Sequence, residues 1–156
     1  MKFAIKDCLN FKLFTEEGKL IHEIDYACSS YLRVNWENEM YLLDIDHEIN
    51  DLKLLELING NNIDKSDFEN ELGEIEIDFG IDVNPNKYKA VGIFNMRMLD
   101  GEDKKVKLIF NNVKFNNNYS DMNEIKFKCD EIFPFRTSFM ILPDENGKCF
   151  KMKAVL

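Results

Sequence analysis

The chain has 156 residues, 29 Asp plus Glu against 20 Lys plus Arg, and a formal net charge of −9, with 45% hydrophobic and 31% charged residues. That is the profile of one folded domain, and a domain of this length buries about two thirds of its unfolded surface without needing disulfides or a metal. No stretch approaches the roughly 20 apolar residues of a membrane span, and Met1-Lys2-Phe3-Ala4-Ile5-Lys6-Asp7 lacks the apolar core of a signal peptide, so a cytosolic origin is expected.

Period-two alternation dominates the chain. Leu9, Phe11 and Leu13 alternate with Asn10 and Lys12, Glu16-Glu17-Gly18 reads as a turn, and a second strand follows from Leu20 to Tyr26, so the chain is expected to open with a hairpin. Tyr31 to Trp36 and Met40 to Asp46 read as two further short strands. A helix is expected over about Asn50 to Ile58, capped by Asn50 or Asp51, with Leu52, Leu55 and Ile58 on one stripe and Gly60 after its end. The polar stretch from Asn59 to Gly73 reads as a loop, with a short helical turn around Ser66 to Glu71.

Cleaner strand signals follow. Ile75, Ile77, Phe79 and Ile81 alternate with acidic residues. Tyr88, Ala90, Gly92, Phe94, Met96 and Met98 share one face of a longer strand ending at the Asp100-Gly101 turn. Val91, Ile93 and Leu99 give its other face an apolar character too. The next strand carries Val106, Leu108 and Phe110 and continues to Val113 and Phe115. Beyond the Asn116-Asn117-Asn118 loop, Ile125, Phe127 and Cys129 alternate with Lys126, Lys128 and Asp130, and Pro134 interrupts the ladder. The chain closes with Thr137 to Leu142, the turn Pro143-Asp144-Glu145-Asn146-Gly147, and Cys149 to Val155, read as a hairpin. The expected fold is mainly β, a β-sandwich or barrel of about eight to ten strands with one short α-helix, in a single domain over residues 1–156.

Chemistry is harder to find. Cys8, Cys28, Cys129 and Cys149 contain no C-x-x-C pair and are expected to be small apolar core fillers. Asp44, Asp46 and Glu48 share one face if extended, a row able to collect a hard cation. The segment lacks the glycine and the terminal carboxylate of a calcium loop, and the plainer reading is the polar face of a strand running into a helix N-terminus, where acids favour the dipole. His22 and His47 lie in no nucleophile or metal motif. Ser29-Ser30 lacks elbow glycines, and no Walker loop or dinucleotide fingerprint is present. No catalytic, cofactor-binding or metal residue is assigned, and a non-enzymatic protein is expected. The lysine groups (104, 105 and 107; 126 and 128; 148, 151 and 153) lie on polar strand faces. A solvated face is their default explanation, and the acidic balance opposes nucleic-acid reading.

The order of elements resembles the tail tube proteins of long-tailed bacteriophages and of related contractile phage-tail-like particles. The resemblance is carried by Ile5-Lys6-Asp7-Cys8-Leu9-Asn10-Phe11-Lys12-Leu13-Phe14, by Ala27-Cys28-Ser29-Ser30 and by the Leu52 to Gly60 helix. It continues through Val106 to Phe115, Ile125 to Cys129 and the Leu142 to Lys148 turn. It covers most of the chain through strand pattern and turn chemistry, with no diagnostic motif. It implies a structural virion subunit, made in the bacterial host cytoplasm, that assembles into stacked hexameric rings around a channel for DNA. Its implied partners are further copies of itself, tail sheath, baseplate and tape-measure proteins, with DNA only as passing cargo and no membrane or cofactor. Family members run from the Ser-Ser step into a long glycine-rich excursion that helps rings stack, whereas here only Tyr31 to Glu39 precedes Met40. That departure keeps a baseplate tube initiator or tail-completion ring open, beside a non-enzymatic β-sandwich binding module. Glu74, Glu76, Asp78 and Asp82 form a candidate lumen-facing acidic strip, since a channel that passes DNA without gripping it should repel phosphate. An outer solvated face is the other reading of the same row.

Overall fold

The computed structural model describes residues 3–25, 29–35, 40–47, 53–58, 84–116 and 135–154. In chain order these form β1 (Phe3–Phe14), β2 (Leu20–Ile24), β3 (Ser29–Asn35), β4 (Met40–His47), α1 (Lys53–Ile58), β5 (Tyr88–Met98), β6 (Asp103–Phe115), β7 (Phe135–Ile141) and β8 (Phe150–Ala154). The fold is mainly β, as expected, with eight strands in one antiparallel sheet of order β2-β1-β5-β6-β7-β4-β3, and β8 paired to β6 off that path. Of sandwich and barrel, the arrangement approaches the second: the sheet curls into a half-barrel rather than splitting into two stacked layers.

The curl has a local cause and a packed consequence. β1 pairs with both β2 and β5, and its ladder to β5 slips between Ile5 and Cys8 and again between Cys8 and Asn10. Each bulge puts extra backbone into one strand, bending it and increasing its twist. The concave face is filled by aromatic rings in contact from end to end. Tyr88 meets Phe115, Phe115 meets Phe139, Phe139 meets Phe11, Phe11 meets Phe110, Phe110 meets Phe150, and Phe150 meets Tyr41, with centroids 5.1–6.5 Å apart. Aliphatic side chains from β1, β4, β5, β6 and α1 complete this core.

The expected period-two pattern of β5 holds: Tyr88, Ala90, Gly92, Phe94 and Met96 are buried, and Val91 and Ile93 on the opposite face are half-buried. Leu99 does not extend that second face. It sits in the turn after β5, 78% exposed. Gly92 is needed for close approach. The Phe94 ring folds back over it, a Cβ there would fall inside that ring, and Phe11 closes the space from the neighbouring strand.

Two other expectations are corrected. From Asp7 onward in β1 the buried residues are Cys8, Phe11 and Leu13, while Leu9 is only half-buried, because the slip between Cys8 and Asn10 exchanges the faces. In α1 the described buried side chains are Leu54, Leu57 and Ile58, at i, i+3 and i+4; Ile58 of the expected stripe is among them, and Leu52 and the side chain of Leu55 lie outside what is described.

The second correction concerns the closing hairpin. β7 and β8 do not pair with each other. Both run antiparallel to β6 along the same edge, β7 at Val113–Phe115 and β8 at Val106–Phe110. Between Val113↔Ile141 and Phe110↔Phe150, β6 advances three residues while the other chain advances nine. β7 and β8 are therefore two halves of one strand interrupted by a six-residue excess. The Asn146-Gly147 turn exists, but it closes that excursion on itself. Gly147 has φ 71° and donates to the Asp144 carbonyl at 3.0 Å, Asp144 N–H donates to the Lys148 carbonyl at 2.8 Å, and Asp144 Oδ1 accepts from the N–H groups of Asn146 and Lys148.

α1 is tied to β5 by Asn84, which is 2% exposed. Its N–H donates to the Ile58 carbonyl at 2.7 Å, and its Nδ2 donates to the Leu57 carbonyl at 3.0 Å and to the Tyr88 hydroxyl at 2.5 Å. The last carbonyls of the helix, which lack partners within it, are thereby satisfied. Several expected features lie outside the described residues: the Asn50 and Asp51 caps, Gly60, the polar loop with its Ser66 to Glu71 turn, the Ile75 to Ile81 strand, the Ile125 to Cys129 strand and Pro134.

Candidate functional site

The Asp44-Ile45-Asp46-His47 segment lies on β4, whose neighbours are β3 and β7. Asp44 and Asp46 do share a face, opposite Ser138 and Arg136, whereas Ile45 and His47 turn to the concave side opposite Thr137 and Phe135. Asp46 is held by a two-pronged ion pair: Arg136 Nε donates to its Oδ1 at 2.6 Å and an Arg136 terminal nitrogen to its Oδ2 at 2.9 Å. Asp44 is 4% exposed and Ser138 1%, so β4 is covered on both faces here. Asn116 closes this row from β6, donating its N–H to the Ser138 carbonyl at 3.1 Å. On the concave face the imidazole of His47 meets the Thr137 hydroxyl at 2.8 Å, both groups buried. These contacts fasten β4 to β7, with carboxylate geometry spent on a guanidinium. Among the described residues no group of three or more His, Cys, Asp or Glu could hold a metal ion, and Glu48, the third member of the expected row, lies outside them.

The cysteines and His22 fall as follows. Cys8 is fully buried, and burial pushes its thiol from 9.0 up to about 12. Cys149 packs half-buried against the core, while Cys28 and Cys129 lie outside the described residues. His22 is half-buried on β2 opposite Leu13. The acidic strip Glu74, Glu76, Asp78 and Asp82 also lies outside the described residues.

The described surface with the most distinct character is the outer face of β6 and β8. The core-facing residues of β6 are Val106, Leu108 and Phe110, so Lys105 and Lys107 point outward, as do Lys151 and Lys153 from β8. Lys107 and Lys153 stand directly opposite each other. All four are exposed. The nearby Lys104 differs, lying 3.8 Å from Glu102. β8 pairs with β6 on one side, and among the described residues no strand pairs with its other side. Lysine groupings were visible in the sequence, but their convergence was not, because it depends on β8 lying along β6.

Compared with known proteins, the chain matches no family model and no curated sequence. Among the described residues no helix is long and apolar enough to cross a membrane.

Proposed function

We propose that this protein is a non-enzymatic, self-assembling structural subunit of a phage tail or phage-tail-like particle, building a tube or a specialised ring around a DNA channel. The reading rests on the sequence resemblance and is supported by one observation above the rest. The strands β2-β1-β5-β6-β8 form a five-stranded run that ends in β8, a strand whose other side pairs with no described strand and which carries an exposed Met152. The short length and two lysines of β8 blunt indiscriminate pairing along this edge, which leaves it suited to a strand of complementary charge. The net charge of −9 supports a role beside DNA that passes without being held. The acidic strip Glu74, Glu76, Asp78 and Asp82 is the proposed lining of that channel.

Negative-stain electron microscopy of the purified chain over a concentration series tests the assembly. Six-fold rings or hollow filaments are expected. Particles that remain monomeric at every concentration would favour a small β binding module instead. In assembled particles, reversing Glu74 and Glu76 to Lys should leave rings intact and slow or block DNA passage. Unchanged genome delivery would remove those residues from the channel wall.

A further inference from the structure

The outer face of β6 and β8 carries a conflict that the described part of one copy does not resolve. Lys107 and Lys153 are cross-strand neighbours, with Lys105 and Lys151 one step away on the same face. Like charges directly opposite in an antiparallel pair destabilise it. None of these four lysines forms an ion pair with a described residue. On the other face of β8, Met152 lies opposite Leu108 but is 38% exposed. The strand therefore offers a pattern of lysine, apolar residue and lysine along an open side.

The reverse pattern occurs at the far end of the same run. On β2, Ile24 turns to the core, while Glu23 before it and Asp25 just after the strand are exposed on the outer side. The strands of the run alternate in direction, since each neighbouring pair is antiparallel. With five strands, β2 and β8 point the same way. A second copy in the same orientation consequently brings its β2 parallel to β8, with the core faces aligned. Setting Ile24 of that copy beside Met152 puts its Glu23 beside Lys151 and its Asp25 beside Lys153.

We propose that β8 of one copy receives β2 of a second copy as a parallel neighbour, with Glu23 and Asp25 neutralising Lys151 and Lys153. Charge selects this partner over the symmetric alternative, because an antiparallel β8–β8 contact sets the lysines of the two copies against one another. The contact is heterologous: each copy uses its lysine edge once and its acidic edge once. Repeated, such a contact closes into a ring or continues as a filament. The inference rests on the self-assembly reading and specifies the surface that reading requires.

The test is mass photometry with sedimentation velocity on four chains across concentration and salt: wild type, Lys151→Glu/Lys153→Glu, Glu23→Lys/Asp25→Lys, and the fourfold swap. Wild type should associate, less so at high salt. Each double reversal should need at least tenfold more protein to associate. The fourfold swap should restore assembly, and an equimolar mixture of the two double variants should co-assemble where each alone does not. Glu23 also accepts a 2.6 Å hydrogen bond from Asn10 and lies 3.5 Å from Lys12. The narrower pair Asp25→Lys and Lys153→Glu, with the same swap, therefore serves if reversal at Glu23 disturbs folding by circular dichroism. A lysine-reversed chain assembling at wild-type concentrations would overturn this contact and leave self-assembly standing. A wild type that stays monomeric throughout would overturn self-assembly itself.

Discussion

Phe11 and Phe139 meet with ring centroids 5.3 Å apart, although β5 and β6 lie between their strands. Three strand steps in a flat sheet would separate them by about 14 Å, so this contact measures how far the sheet has curled. It joins residues 128 positions apart in the chain, and only the curl of the sheet brings them together. Replacing either ring by alanine should cost about 3–5 kcal/mol in denaturant unfolding. A double-mutant cycle should find about 0.5–1.5 kcal/mol of coupling between them. Strict additivity would mean that the rings merely fill space independently.

Gly92→Ala should destabilise by about 1–3 kcal/mol, since the new methyl displaces the Phe94 ring from a core with no room to receive it. Shrinking the obstacle should recover part of that loss: Gly92→Ala should cost less in a Phe94→Leu background than in the wild type. Equal penalties in both backgrounds would place the problem elsewhere than in the ring.

Asp46→Asn keeps the shape of the side chain but removes the charge that accepts both prongs of Arg136. The Asp46 side chain is 13% exposed and that of Arg136 41%, so the loss should be on the order of 1–3 kcal/mol. Arg136→Lys should recover little, because an ammonium does not reproduce the planar fork. Urea midpoints indistinguishable from wild type would show that the pair is surface decoration.

Cys8 gives the chain an alkaline weakness. Its thiol stays neutral in the fold up to about pH 12, whereas the unfolded thiol ionises near 9.0. The contribution of the neutral buried thiol is complete below pH 9 and is lost as pH rises toward 12. The slope is on the order of 1 kcal/mol per pH unit. Wild type should therefore lose stability faster above pH 9 than Cys8→Ala does. Parallel curves for the two chains would argue against a buried thiol.

The split strand can be made whole. Deleting residues 143–148 joins Leu142 to Cys149 and brings the β7 and β8 registers on β6 into line. Because the excess is even, Phe150 keeps its face. The shortened chain should fold with stability within about 1 kcal/mol of wild type, the closure entropy of so short a loop being small. Failure to fold would mean that the excursion itself is required.

Strand positions in β5 and β6 were legible because their buried residues recur at period two, and the Glu16-Glu17-Gly18 and Asp100-Gly101 turns follow from residue type. The opening hairpin of β1 and β2 was legible as well, but which strands pair beyond it was not. An Asn-Gly turn between two apolar runs has the same local chemistry whether the flanking strands pair with each other or both lie along β6. The exchange of Leu9 for Cys8 likewise depends on a bulge created by the partner strand. The Asp44 and Asp46 row was visible as carboxylates, yet its meaning is set by Arg136, 90 residues away in the chain. Local composition carries no record of that distance.

Asn84 has one more consequence. It receives the end of α1 and opens the approach to β5, so residues 59–83 leave and rejoin the described structure at a single clasp. The two ends of that segment are thus held one hydrogen bond apart, with the end of the helix and the start of the sheet fixed against each other at its base.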